Sequence, residues 1–202
     1  MAPRVVSREA EMISPQDGMW LAWGSWAMSW AAAAAWSDRA TAGRGGREAL
    51  IYYVPIVGGA VLMFGFGFDR FVPAALTWRI GAEAAWAMVA LAVAGFLFAW
   101  WARLHLGRLW SSGVTRKEAH RVVDTGPYAL VRHPIYTGLY VALAATALLR
   151  GTAPAALGAA AMAFGWYVKA RIEERFLRQE LGAEAYDAYA RRVPMLVPFL
   201  RL

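Results

Sequence analysis

Long apolar blocks restrict the folds open to this chain more than any other feature. Five can be marked, at about Met19–Trp36, Leu50–Phe68, Ala82–Leu104, Ile135–Leu149 and Pro154–Val168. The first three have roughly the ~17–25 residues a helix needs to cross a hydrocarbon core. The last two are short and joined by the tight turn Arg150-Gly-Thr-Ala-Pro154. They predict a helical hairpin, with a re-entrant pair as the alternative. The hydrophobic share, 59%, exceeds the ~45–50% of a soluble domain. We therefore expect an all-α integral membrane protein of about five transmembrane helices, the last two a short hairpin. The residues ahead of Met19 are mostly polar and lack a small-residue cleavage site, so the first block is expected to stay as a helix.

Charge orients this bundle. The net charge is +7, which by itself would also suit nucleic acid, but its distribution argues for a membrane. Alternating sides across five spans collects Arg39, Arg44, Arg47, Arg103, Arg108, Arg116, Lys117, Arg121, Arg132 and the basic residues from Lys169 to Arg201 on one side. Arg4, Arg8, Arg70, Arg79 and Arg150 fall on the other. Basic residues stay on the cytoplasmic side. The expected topology has the N-terminus outside and the C-terminus inside an inner (cytoplasmic) membrane, with anionic lipids as additional partners. With no cysteine, disulfides, thiolate metal sites and Cys nucleophiles are excluded.

Within this frame, His120–Gly138 stands out. It places two histidines, two tyrosines, two arginines and two prolines between apolar blocks. Such groups are costly beside a bilayer and usually functional. Pro134 suits the first turn of helix four. Helix five is predicted to run past the membrane to Gly182, a plausible C-cap, as a cytoplasmic C-terminal extension. A further short helix is expected over Glu184–Arg192. The spacings of His105, His120 and His133 match no compact metal set, so no metal is expected, and His105 is read as structural.

The start of helix four offers N–H groups and a positive dipole end to an anion, and Arg132 and His133 add donors. Tyr128, Tyr136, Tyr186 and Tyr189 offer π-faces to a cation. Glu173 and Glu174 can accept from an ammonium or hydroxyls. S-Adenosylmethionine would use all of these; a dinucleotide would use the arginines and the turn. In the first block Trp20, Trp23, Trp26 and Trp30 share a helical face, either a packing or lipid-facing stripe or a wall bordering a lipid-like substrate. Gly58-Gly59 and Gly65-x-Gly67 in the second block predict close helix approach.

His120-x-Val-Val-x-x-Gly-x-Tyr128 followed by Arg132-His-Pro-x-Tyr136-x-Gly138 resembles the signature of isoprenylcysteine carboxyl methyltransferases and related membrane phospholipid methyltransferases. Glu173-Glu-x-x-Leu177, Gly182-x-x-x-Tyr186-x-x-Tyr189 and Arg192-Val-Pro-x-x-x-Pro198 are similar to the family's C-terminal signature. The likeness covers about Leu106–Leu202. No domain boundary is read from the sequence, so one membrane domain is expected over residues 1–202, with a three-helix part (19–105) and, by the resemblance, a cofactor-binding methyltransferase-like part (106–202).

The resemblance also implies an S-adenosylmethionine site, with S-adenosylhomocysteine as product. That site would comprise His120, Arg121, Val122, Val123, Gly126, Tyr128, His133, Pro134, Ile135, Tyr136, Glu173 and Tyr186. His133, Glu174 and Arg132 are the catalytic candidates; Lys169 and Arg171, near the family's basic position, are the substrate-binding ones. The implied reaction is in-line methyl transfer to a membrane-embedded or lipophilic acceptor, for which alignment supplies much of the acceleration. An NADPH-dependent reductase related to sterol reductases and a non-enzymatic lipid-binding membrane protein are the alternatives. The acceptor and the oligomeric state stay open.

Overall fold

The computed structural model describes residues 13–34, 47–65, 69–107 and 122–200. Among the described residues there are six α-helices: α1 (Pro15–Ala34), α2 (Arg47–Phe64), α3 (Ala82–Leu106), α4 (Pro134–Arg150), α5 (Ala153–Glu180) and α6 (Ala183–Arg192). They contain no strand, only an isolated bridge between Thr77 and Thr152. The all-α class is as expected. Each apolar block forms a helix, though residues 35–36 and 66–68 at two block ends lie outside the described residues. Of the five expected spans, length and apolarity mark one among the described residues. Among the described residues α3 alone is both long and apolar enough to cross a membrane, while Glu48–Phe64 and α4 are shorter apolar helices.

Helix boundaries follow the local chemistry. Pro134 occupies the first position of α4, where its missing N–H breaks no bond. Thr152 caps α5 by accepting from the Ala155 N–H at 3.3 Å. As predicted, α5 continues without a break from its apolar part into Lys169–Glu180. Gly182, at φ 87°, then turns the chain into α6.

In the bundle α2 lies along α5, α3 lies along α4, and α1 packs chiefly on α3. The two main pairs are antiparallel and meet through small residues. A Cβ at Gly95 would run into the backbone of Gly138, and one at Gly59 into that of Gly158. Gly59 thus makes the close approach read from the sequence, whereas its neighbour Gly58 faces open space.

Side-chain size is sorted in an unusual direction. Alanines dominate the interior, including Ala92, Ala99, Ala102, Ala142 and Ala145. Large aliphatics such as Val54, Val57, Leu97, Leu104 and Leu157 stay more than half exposed. Water would penalise that arrangement. Helices in lipid use it, because small residues let backbones approach while lipid tails accept the large side chains.

The tryptophans of α1 turn inward more than a lipid-facing stripe would. Trp23 sets its ring edge-on to Phe96 and Phe64 at 4.8 and 5.1 Å. Its indole donates to Thr146 Oγ1 on α4 at 2.9 Å. Trp26 stacks on Phe96 at 5.5 Å, and Trp30 meets Trp100. The packing reading of this face is thereby supported over most of its length.

Candidate active site

The site grows from the N-terminus of α4. His133 holds the N-cap position, but its side chain makes no capping bond. The imidazole is instead 7% exposed and lies between two carboxylates on α5. Its Nδ1 is 3.8 Å from Glu173 Oε2 and its Nε2 is 3.4 Å from Glu174 Oε1. The second approach is off-axis, so Nε2 is a buried polar atom without a hydrogen-bond partner. Buried groups of this kind are rare and call for an explanation.

Arg132 carries the surrounding architecture. Its Nε donates to Glu174 Oε1 at 2.6 Å. One of its terminal nitrogens donates to the carbonyls of Ala190 and Val193 at 3.0 and 2.7 Å. Ala190 lies in the last turn of α6 and Val193 is its C-cap, so the guanidinium closes the end of that helix and complements its negative dipole end. The tail beyond α6 folds back onto the same segment. The Arg132 and His133 N–H groups donate to Pro194 O and Met195 O at 2.8 and 3.1 Å. Thr137 Oγ1 donates to Leu196 O at 2.6 Å. The Arg192–Pro198 motif thus acts through its backbone, as the closing strap of the site.

Two opposing effects set the Glu174 carboxyl. Burial pushes it up, but His133 and Arg132 outweigh burial and hold it down at about 2. Glu174 therefore stays ionised at neutral pH and orients its partners. Glu173 accepts from the Tyr136 hydroxyl at 2.8 Å. Lys169 Nζ lies 3.9 Å from Glu173 Oε1 and over the rings of Tyr52 and Tyr136, at 5.9 Å from each.

A column of rings leads inward from this polar mouth. His133 stacks with Tyr136 at 5.7 Å, Tyr136 with Trp166 at 6.5 Å, and Trp166 with Tyr140 at 6.3 Å. The Tyr140 hydroxyl donates to Ala163 O at 2.8 Å. The column joins charged groups at one end to the apolar interior between α4 and α5. Trp166 and Tyr140 were not among the expected site residues. The signal was available, since Trp166 precedes Lys169 by three positions and Glu173 by seven, one helical face.

A second layer holds the loop before α4. Gly126 starts a short 3-10 turn at φ 58°, and a Cβ there would land 2.7 Å from the His105 ring. His105 itself bonds Thr125 Oγ1 through Nε2 at 2.9 Å and stacks on Tyr128. It braces this loop, in keeping with its structural reading. Tyr128 is buried, and its carbonyl accepts from the Tyr189 hydroxyl at 2.8 Å. Burial pushes both of these tyrosine hydroxyls up, so both keep their protons at neutral pH. Val122 packs against Tyr186, Tyr189 and Val193. Val123 is half-buried beside it, and Ile135 packs on the α3–α4 core. His120 and Arg121 lie outside the described residues. Arg171 is exposed and only skirts the site, 3.8 Å from Glu174. Among the described residues no three His, Asp or Glu side chains are grouped to hold a metal.

The helical scaffold thus gathers an imidazole, two carboxylates and aromatic rings at the boundary between apolar and charged helix segments. Residues 88–179, which supply most of it, match the model of the isoprenylcysteine carboxyl methyltransferase family. The protein is 34% identical over 89 residues to protein-S-isoprenylcysteine O-methyltransferase B of Arabidopsis thaliana, covering 43% of this chain and 44% of that one. It is 32% identical over 119 residues to the nickel-cobalt-cadmium resistance protein NccN of Alcaligenes xylosoxydans xylosoxydans, covering 58% and 54%. To the cobalt-zinc-cadmium resistance protein CzcN of Cupriavidus metallidurans it is 34% identical over 99 residues, covering 48% and 45%. The match spans about half the length of these curated relatives.

Proposed function

We propose that the protein is an S-adenosylmethionine-dependent membrane methyltransferase acting on a lipophilic acceptor. The observation that carries this reading is the buried His133, set between Glu173 and Glu174 at the head of the aromatic column, with no aligned hydrogen bond at Nε2. A zwitterionic, sulfonium-bearing cofactor matches those groups in kind. Its ammonium and ribose hydroxyls suit Glu173, its carboxylate suits an imidazole N–H, and its sulfonium suits the π-faces of Tyr128, Tyr136 and Tyr186. The proposed holding set is His120, Arg121, Val122, Val123, Gly126, Tyr128, His133, Pro134, Ile135, Tyr136, Glu173 and Tyr186. When bound, the cofactor supplies an electrophilic methyl group.

The chain's own residues would do the rest. Arg132 and Glu174 fix the position of His133 and of the tail, so that the site is preorganised. For an acceptor that enters as an amine or thiol, His133 is the preferred base. Glu174, held at about 2 and bonded to Arg132, is poorly suited to take a proton at neutral pH. Lys169, at the polar end of the column, is placed to meet an anionic group on the acceptor, and the rings beyond it provide an apolar path. In this reading the apolar helices span the membrane in the five-span topology, with the site on the cytoplasmic side. The outward-facing aliphatics of α2 and α3 support it.

Isothermal titration of the detergent-purified chain with S-adenosylhomocysteine and with NADPH tests the proposal. We expect binding of the first and none of the second. His133→Ala and Glu173→Ala should each weaken binding by roughly 10–100-fold, the range for losing a hydrogen bond to a charged group, with helicity unchanged. Binding of NADPH alone would favour a reductase, and binding of neither a non-enzymatic lipid-binding protein. Mass spectrometry of lipid extracts after incubation with methyl-labelled cofactor would identify the acceptor.

A further inference from the structure

A recess lies between α2 and α5, away from the His133 site. It has a volume of about 410 Å³ and is lined by Glu48, Ile51, Tyr167, Val168, Arg171, Ile172 and Arg175. On α5, Val168, Ile172 and Arg175 project from a different side of the helix than Trp166, Lys169 and Glu173. The recess therefore lies on another side of α5 from the His133 site, and its Arg171 is 3.8 Å from Glu174. Ile51, Arg171 and Arg175 are exposed, so the recess opens on the outer flank of the bundle.

Its position and lining specify an occupant. Both helices change from charged to apolar at this level: α2 from Arg47-Glu48 into Leu50–Phe64, and α5 backwards from Arg175 and Arg171 into Val168. That is the pattern of a headgroup boundary. Arg171 and Arg175 offer two guanidinium groups to a phosphate, Ile51, Val168 and Ile172 offer an apolar floor to an acyl chain, and Glu48 remains as an acceptor. A headgroup with a phosphate alone would leave Glu48 facing like charge. One that also carries an ammonium gives all three charged side chains an opposite partner.

We propose that the α2–α5 recess is a binding site for an aminophospholipid, with phosphatidylethanolamine as the matching chemistry. The phosphate is held by Arg171 and Arg175, and the ammonium by Glu48. This rests on the membrane-spanning part of the proposed function but not on its methyltransferase part, since the lipid here is a resident of the outer flank, not the methyl acceptor.

The test is native mass spectrometry of the full chain released from detergent after titration with palmitoyl-oleoyl phosphatidylethanolamine or phosphatidylglycerol. The parent should retain the ethanolamine lipid about fivefold better than the glycerol lipid. Arg175→Gln should lower retention of both about fivefold, the effect of one arginine at a lipid headgroup. Glu48→Gln should abolish the preference while leaving phosphate-dependent binding. Both residues are exposed, and circular dichroism checks that the variants fold. As an independent readout, a photoactivatable ethanolamine lipid should crosslink to peptides from the starts of α2 and the charged part of α5. Equal retention of the two lipids by the parent, unchanged retention in Arg175→Gln, or crosslinks confined to other helices would each overturn the proposal.

Discussion

The α1–α3 wall and the region from Arg132 to Leu196 are held together by different means. The wall fits by size: alanines and glycines at the crossings, tryptophan rings against phenylalanines, large aliphatics left outside. Directional bonds are few there, Trp23 to Thr146 being the main one between α1 and α4. In the second region nearly every named side chain is committed to a specific atom, and the backbone of the tail is bonded to the backbone at the head of α4. Size can be matched by many sequences, whereas a guanidinium that caps a helix and pairs a carboxylate has few substitutes. The family match covers residues 88–179, from within α3 to the last turn of α5, and leaves α1, α2, α6 and the tail outside.

Substitutions that remove one directional group should therefore cost more in the second region than size changes do in the first. The largest effect is expected for Arg132→Ala. Arg132 and Glu174 are only 11% and 12% exposed, and breaking a shielded pair costs about 3–5 kcal/mol. Loss of tail docking should show as protease sensitivity after α6 and loss of cofactor binding. An undisturbed tail would mean that the strap stands on its backbone bonds alone.

Next is Gly138→Val at the α3–α4 crossing, where the new Cβ meets the Gly95 backbone. We expect about 1–3 kcal/mol of destabilisation from overpacking, seen in thermal melts in detergent. If it exceeds the Arg132→Ala effect, the ranking of the two regions is wrong.

Acid should act on the second region selectively. The Glu174 carboxyl titrates lower in the fold, at about 2, than its ordinary value of 4.5. Its contribution is therefore complete above about pH 4.5 and is lost as pH falls from there toward 2. Melting temperature against pH should show this limb, and Glu174→Gln should flatten it.

Tyr189→Phe, which removes one buried bond to the Tyr128 carbonyl, should cost about 1 kcal/mol. Leu97→Val, on an outward face, should change stability by no more than about 0.5 kcal/mol. A larger cost at Leu97 would show that this face has a protein neighbour rather than lipid.

Much of this was legible beforehand. The apolar blocks predicted the helices, Pro134 and Gly182 marked their ends, and two motifs pointed to the His133 and Glu173–Glu174 region. Those signals are local: an apolar run, a missing N–H, a residue order. Less legible was the division of labour. Arg132, adjacent to His133 in sequence, serves the helix cap and Glu174, while the Arg192–Pro198 motif acts through carbonyls that no side-chain pattern reveals.

By itself the sequence determined that this is a helical, apolar chain with a polar segment that resembles the signature of a membrane methyltransferase family, because hydropathy and motif order need only neighbours along the chain. Tertiary structure decided that α4 lies along α3 and α5 along α2, that His133 is buried between two acids, and that Trp166 joins its column of rings. Those facts depend on which helices touch, and a helix with several apolar faces does not announce its partner. Close approach at small residues selects the partner, and burial then fixes what each polar group must do.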